Sequence, residues 1–161
     1  MKADDIEIRD GDPQGEPAGK LLREAAIEAR AQYPELFAAD DPWPTNPPVS
    51  VRGAFVLAYH EQVAVGCASL RSLSQTAVEL RRVFVALNAR RQGVAQALLD
   101  DLENRAQQMG YTHVLLETGF RQLPAMAFYE ARGYFRIQPF GEYRDDPSSV
   151  CFEKKLSHSS S

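Results

Sequence analysis

Val83-Phe84-Val85-Ala86-Leu87-Asn88-Ala89-Arg90-Arg91-Gln92-Gly93-Val94-Ala95 decides the fold. It opens as an apolar strand, passes through a short basic loop and ends in the first turn of a helix containing glycine and alanine. That turn exposes backbone N–H groups that no carbonyl satisfies and carries the positive end of the helix dipole, so it suits a phosphate or diphosphate. Gly93 lets such an anion approach the backbone closely. Arg81–Arg91 holds four arginines and no acid, whereas residues 1–50 hold eleven acids and five bases. A basic island in a chain of net charge −4 and pI near 5.4 points to a small anion rather than a long polyanion. The same acidic balance argues against a nucleic-acid partner, whose phosphates need many Lys and Arg. The stretch matches neither G-x-x-x-x-G-K-[ST] nor G-x-G-x-x-G, so it supports neither a mononucleotide P-loop nor a dinucleotide fold. On these residues alone, an ordinary strand-to-helix turn with a packing glycine is the alternative.

Outward from this junction the pattern alternates between strand and helix. Upstream, Gly53–Glu61 and Gln62–Leu73 read as an antiparallel hairpin and Thr76–Val85 as a third adjacent strand, all rich in Val, Ala, Phe and Tyr. Downstream, the periodicity predicts a helix over about Gln92–Met109, with Leu98, Leu102, Ala106 and Met109 in one stripe and Gly110 as its stop. A strand at Thr112–Glu117, a helix at about Leu123–Arg132 and closing strands at Tyr134–Gln138 and Val150–Lys155 follow. At the other end, Ile6–Arg9 is a short strand ending at Asp10-Gly11-Asp12-Pro13. Pro17–Phe37 then carries helical spacing with a break before Pro34. Ala38–Ser50, with four prolines and Trp43, is expected to be a loop.

The 161 residues, 44 % hydrophobic and 25 % charged, predict one folded domain over 1–156 and a frayed serine-rich tail at 157–161. Apolar stretches are far shorter than the roughly 20 residues that span a bilayer, and no leader opens the chain. A soluble, cytoplasmic protein without membrane partner is the expectation. Cys67 and Cys151 lie in apolar runs and are expected to be buried thiols. Three widely separated histidines give no zinc spacing, so no metal is expected.

Arg90-Arg91-Gln92-Gly93-Val94-Ala95 resembles the cofactor signature [Q/R]-x-x-G-x-[G/A] of the GNAT family of acyl-coenzyme A-dependent N-acetyltransferases. A second landmark of that family is similar to Ala125-Met126-Ala127-Phe128-Tyr129-Glu130-Ala131-Arg132-Gly133-Tyr134, an aromatic pair on a helix with a glycine-aromatic exit. The resemblance covers about residues 5–156 in element order. It departs from the family at Gln122, where asparagine is frequent, and Ala95 stands where glycine is the other allowed residue. It implies the α/β (α+β) GNAT fold: a mixed, mostly antiparallel sheet with helices on both faces and a splay between the fourth and fifth strands. It also implies acetyl-CoA as cofactor, its pantetheine arm along the backbone of Val83, Phe84 and Val85. The diphosphate would lie on the N–H groups of Arg91, Gln92, Gly93, Val94 and Ala95, with charge from Arg90 or Arg91 and further contacts from Gln122, Phe128 and Tyr129.

The implied reaction is direct attack of a primary amine on the acetyl thioester. Because an alkyl amine is protonated at neutral pH, a base or water chain must take a proton. Glu79 is the candidate base, its alternative being a strand carboxylate paired with Arg81 or Arg82. Tyr129 is the candidate donor to the departing sulfur, or else a packing aromatic. Glu117 and Thr118 either contact the acceptor or cap the next turn. The resemblance implies an acceptor site bordered by Tyr33, Trp43 and the Phe140–Tyr143 loop, and Arg81, Arg82 and Arg121 are candidates for an acceptor carboxylate that the sequence does not place on that face. A small-molecule amine fits the acidic chain better than a basic or acidic tail. A peptide acceptor and a non-catalytic acetyl-CoA binding or sensing module are the alternatives, and the chain is compatible with a homodimer.

Overall fold

The computed structural model describes residues 5–157 and contains a seven-stranded sheet flanked by three helices. The strands are β1 (Ile6–Asp10), β2 (Ala54–His60), β3 (Val63–Ser72), β4 (Ala77–Val85), β5 (His113–Gly119), β6 (Phe135–Ile137) and β7 (Ser149–Lys155). The helices are α1 (Glu16–Gln32), α2 (Val94–Gln108) and α3 (Leu123–Ala131). Sheet order is β1-β2-β3-β4-β5-β7-β6, antiparallel throughout except for β4 beside β5. No described helix is long and apolar enough to cross a membrane. Residues from 158 onward, most of the expected tail, lie outside the described residues.

Two apolar clusters hold the sheet from opposite faces. Under α2 and α3, Leu98, Leu99, Leu102 and Ala106 pack with Val56, Ala68, Leu80, Leu116, Phe152 and Tyr129. Under α1, Ala18 and Leu21 pack with Phe55, Leu57 and Cys67. Helices α1 and α2 each present one apolar stripe because their small and aliphatic residues recur at three- and four-residue spacing, whereas α3 is apolar nearly all round and buries Tyr129. At Gly66 a Cβ would stand 3.0 Å from Val94 Cγ1 and 3.1 Å from the Phe84 carbonyl, so glycine there lets the start of α2 sit directly on the sheet. Both cysteines are free and buried.

The expected elements form with local differences. Glu61 and Gln62, at φ 49° and 68°, make the two-residue turn between β2 and β3. The helix read over Pro17–Phe37 stops at Gln32, and Pro34–Leu36 is a separate 3-10 turn. Helix α2 starts at Val94 rather than Gln92, because Arg91 and Gly93 have positive φ and cannot belong to an α-helix. The strand read as Thr76–Val85 is continuous but bulged: Ser69 pairs Arg81 and Cys67 pairs Phe84, leaving Arg82 and Val83 opposite Ala68 alone.

Strands β4 and β5 pair only over Ala77–Leu80 and His113–Leu116. Beyond Leu80 and Leu116 they diverge, because β5 stays in register with β7 through Gly119 while β4 stays with β3 through Val85. This is the expected splay, and it leaves the β5-facing edge of Arg81–Val85 without a strand partner.

Candidate active site

The splay opens into a cleft of about 1060 Å3 that runs from the start of α2 to the acidic residues at the far end of β4 and β5. Its walls include Val83, Phe84, Val85, Arg90, Arg91, Gly93, Val94 and Ala95 on one side and Glu117, Thr118, Gln122, Phe128 and Tyr129 on the other.

At one end the N-terminus of α2 has no side-chain cap, and Gly93 occupies the N-cap position at φ 88°. The next N–H with a helical partner is that of Ala97, which donates to the Gly93 carbonyl. The preceding N–H groups of the first turn are therefore available to an anion. Arg90 is committed: its Nη2 lies 2.6 Å from Glu28, and its Nε donates to the Val85 carbonyl at 2.9 Å. Arg91 is exposed and makes no ion pair among the described residues, so of the two arginines it is the one free to turn toward a diphosphate. Gln92 turns back to the Asn88 carbonyl and does not line the cleft. Arg132 was not singled out from sequence. Its guanidinium lies over Phe128 at 3.9 Å, donates to Gln96, and carries a buried Nε without partner in the cleft wall. An uncapped helix start flanked by Arg91 and an underused Arg132 donor suits a polyphosphate.

In mid-cleft, Tyr129 is 7 % exposed and packs edge-on against Phe128 and Tyr134. Its hydroxyl has no hydrogen-bond partner among the described residues. Burial pushes the Tyr129 phenol well above its ordinary value, so it stays protonated and can donate.

At the other end lies a charged cluster that the sequence announced only in part. Glu79 is 1 % exposed, and its carboxylate is gripped from both sides: Arg71 Nη2 lies 2.6 Å from Oε1, and the Tyr143 hydroxyl donates to Oε2 at 2.6 Å. Arg81 Nε stands farther off, at 3.9 Å. The partner expected from sequence neighbours is thus minor, and Arg71, opposite Glu79 on β3, is the main one. Cross-strand register, invisible in the linear chain, supplies that pairing. Glu79→Ala should cost about 2–4 kcal/mol by denaturant unfolding, since it strands Arg71 and the Tyr143 hydroxyl. Glu79→Gln, which keeps an acceptor for both, should cost distinctly less.

Glu117 stands across the splay, half-buried. Ser149 Oγ donates to its Oε2 at 2.5 Å, and Oε1 has no partner among the described residues. Burial pushes the Glu117 carboxyl above the usual range, the Ser149 hydrogen bond opposes this, and the charges of Asp146 and Glu79 add to the rise. Thr118 lies beside it in the wall.

Of the two aromatic acceptor contacts expected, Trp43 needs correction, whereas Tyr33 stands in the cleft wall. Trp43 does not line this cleft; Arg23 and Arg30 of α1 clamp its ring at 3.7 and 3.8 Å, and it borders a separate groove on the outer side. Cation–π stacking against two helix arginines outweighs exposure of the indole to the cleft. Tyr33 reaches the cleft wall, but its hydroxyl accepts the Arg121 N–H at 2.9 Å and its ring packs edge-on against Phe120. Gln122 joins the same fastening by donating to Gln32. These residues tie the end of α1 to the turn between β5 and α3.

A strand splay beside an uncapped helix start is the architecture of the GNAT acyltransferases. The family model for the acetyltransferase (GNAT) family matches residues 20–134, and the chain belongs to that family of acetyl-CoA-dependent enzymes. Among its relatives, an IAA acetyltransferase of Azospirillum brasilense is 34 % identical over 103 residues, which cover 63 % of this chain and 67 % of the relative. The crystal structure of a candidate acyl-CoA N-acyltransferase from Klebsiella pneumoniae superposes with a TM-score of 0.77 at 29 % identity, covering 94 % of this chain and 98 % of the other. A GNAT acetyltransferase from Elizabethkingia anophelis, solved with acetyl-CoA bound, has the same fold at 18 % identity, with a TM-score of 0.69 over 95 % of this chain and 99 % of its own.

Proposed function

We propose that this acetyltransferase moves the acetyl group of acetyl-CoA to the primary amine of a small molecule by direct attack, with Glu117 as proton acceptor and Tyr129 as donor to the departing sulfur. The observation that carries the reading is the single cleft linking the uncapped start of α2 to buried Glu79 and half-buried Glu117 through the unpaired edge of β4.

Bound in the splay, acetyl-CoA supplies an activated thioester. The N–H groups of the first turn of α2, with Arg91 and Arg132, hold the diphosphate end. The open edge of β4 at Val83–Val85 holds the arm by main-chain hydrogen bonds, and a main-chain donor there would polarise the thioester carbonyl. What favours Glu117 over Glu79 as base is occupancy. Both Glu79 oxygens already serve Arg71 and Tyr143, and protonating Glu79 would weaken that buried pair. Glu117 keeps Oε1 open, and its raised proton affinity brings it nearer the operating pH, where a general base works best. Glu79, held by Arg71, then acts by positioning Tyr143 beside the acceptor. The amine proton passes to Glu117, and the phenol of Tyr129 steadies the leaving thiolate.

The test is turnover with a panel of amines, amino acids and short peptides, read by release of coenzyme thiol. Thiol release with small amines supports the reading. Release with peptides alone would point to a protein acceptor, and tight acetyl-CoA binding without release from any acceptor would indicate a sensing module. Tyr129→Phe removes one hydroxyl and keeps the ring. It should leave acetyl-CoA affinity near wild type and lower turnover about 5–150-fold, the equivalent of roughly 1–3 kcal/mol in a hydrogen bond made in the transition state. The defect should shrink with an activated thioester whose thiol leaves more easily. A defect equal for every donor would return Tyr129 to packing alone.

A further inference from the structure

At the acceptor end of the cleft, Arg82 is a cation with no anion beside it among the described residues. It is the extra residue of the β4 bulge, at φ 58°, a left-handed conformation that side chains rarely adopt. Bulges beside a site re-aim a side chain, and here the bulged Arg82 lines the cleft. Its Nε is buried with no hydrogen-bond partner, and Nη2 reaches only the Thr45 carbonyl, at 3.5 Å. No described carboxylate lies within ion-pair distance. Burial, and then the charge of neighbouring Arg81, makes the Arg82 cation easier to discharge than a solvated guanidinium, as expected of a charge awaiting a counterion.

The other cations of this end are occupied. Arg71 pairs with Glu79 and Glu142, and Arg81 faces Glu79. Arg30 stacks on Trp43 and donates to the Asp41 and Pro42 carbonyls. Buried donors are almost always satisfied in folded proteins, so an orphan one at the wall of a ligand cleft calls for a ligand. Asn46, next to Thr45 and also in the wall, donates to Pro13 and leaves its buried Oδ1 without a donor, an acceptor that suits an ammonium group and not a carboxylate. Arg82 stands two residues before Phe84, roughly 7 Å along the strand, within the span of a small zwitterion.

We infer that the acceptor is a small amine that also carries a carboxylate, bound through Arg82, which places it among amino acids and their close derivatives. This rests on the reading of the cleft as an N-acetyltransferase site. A planar guanidinium offers carboxylate paired donors, so the contact discriminates strongly against an acceptor that lacks the anion.

The experiment compares amino acids with their own carboxamides and decarboxylated amines as acceptors. Wild type, Arg82→Gln and Arg82→Lys are assayed by thiol release and, with coenzyme A bound, by calorimetric titration. The acetyl-CoA melting shift serves as the control for folding and cofactor binding. Wild type should favour the carboxylate member of an accepted set by about 10–100-fold in kcat/KM, carried mainly by KM. Arg82→Gln should reduce that preference to about twofold or less, with Arg82→Lys between. Equal use of carboxylate and amide by wild type, or a preference that survives Arg82→Gln, would overturn the inference while leaving amine acetylation intact. If no acceptor turns over, amine acetylation itself fails and the titration decides the rest. Amino-acid binding weakened about tenfold or more by Arg82→Gln upholds the carboxylate site, and its absence removes it.

Discussion

Gly93→Glu is expected to abolish acetyl-CoA binding and, with it, more than 99 % of turnover, an effect of at least about 3 kcal/mol. Gly93 forms the N-cap of α2 at φ 88°, among N–H groups that no side chain caps. A glutamate there places a carboxylate where the diphosphate must sit and bulk where the coenzyme must approach. Any side chain at this φ also strains the backbone, at about 1–2 kcal/mol. Gly93→Ala separates the two effects, because it carries the strain without the charge. In wild type, acetyl-CoA at one hundred times its dissociation constant should add about 2.7 kcal/mol of stability. That melting shift should survive, though weakened, in Gly93→Ala and vanish in Gly93→Glu. A full shift in Gly93→Glu would move the anion site away from α2.

Glu117→Gln should lower turnover by about 10²–10⁴-fold while preserving the acetyl-CoA melting shift. The pH profile carries the diagnosis. In wild type, kcat/KM should rise with pH through an ionisation above the ordinary carboxylate range, because burial disfavours the Glu117 anion and Asp146 and Glu79 add their charges, against Ser149 and Arg81. In Glu117→Gln that step should be missing, leaving only the acceptor's own deprotonation. Stability gives an independent reading of the same group. Its folded proton affinity is raised above the ordinary carboxylate value of 4.5, so its contribution is fully present below that pH and is lost as pH rises through the folded value. Glu117→Gln should therefore gain thermal stability relative to wild type between about pH 4.5 and neutrality. If the kinetic step persists in the variant, Glu117 is not the base, and Glu79→Gln is the next profile to record.

The linear sequence already determined what depends on neighbours along the chain. The basic loop, the uncapped helix start at Gly93, the apolar stripe of α2 and the aromatic pair Phe128-Tyr129 are local patterns, set by side-chain spacing and by the backbone freedom of glycine. Together with the order of elements they identified the family, the sheet with its splay and the acyl donor. Even there, boundaries moved by a residue or two where positive φ at Arg91 and Gly93 delayed the helix.

Tertiary structure alone decided who meets whom at the acceptor end. Glu79 and Arg71 lie eight residues apart but pair across strands, and Tyr143 arrives from a loop 64 residues later. Glu117 gains its proton affinity from burial and from the charges of Asp146 and Glu79, against the hydrogen bond that Ser149 donates from the next strand. Trp43 reads as an acceptor contact because the family resemblance puts the acceptor beside the loop after the early helices, yet two helix arginines hold its ring away from the cleft. In the sequence Arg82 stands with Arg81 and Arg121 as an arginine suited to an acceptor carboxylate, with nothing to place any of the three on that face. Only its place at the bulge in the cleft wall, and the absence of any described carboxylate beside it, set it apart from the other arginines. Burial, ion pairing and proton affinity arise from contacts between distant segments, and no local spacing encodes them.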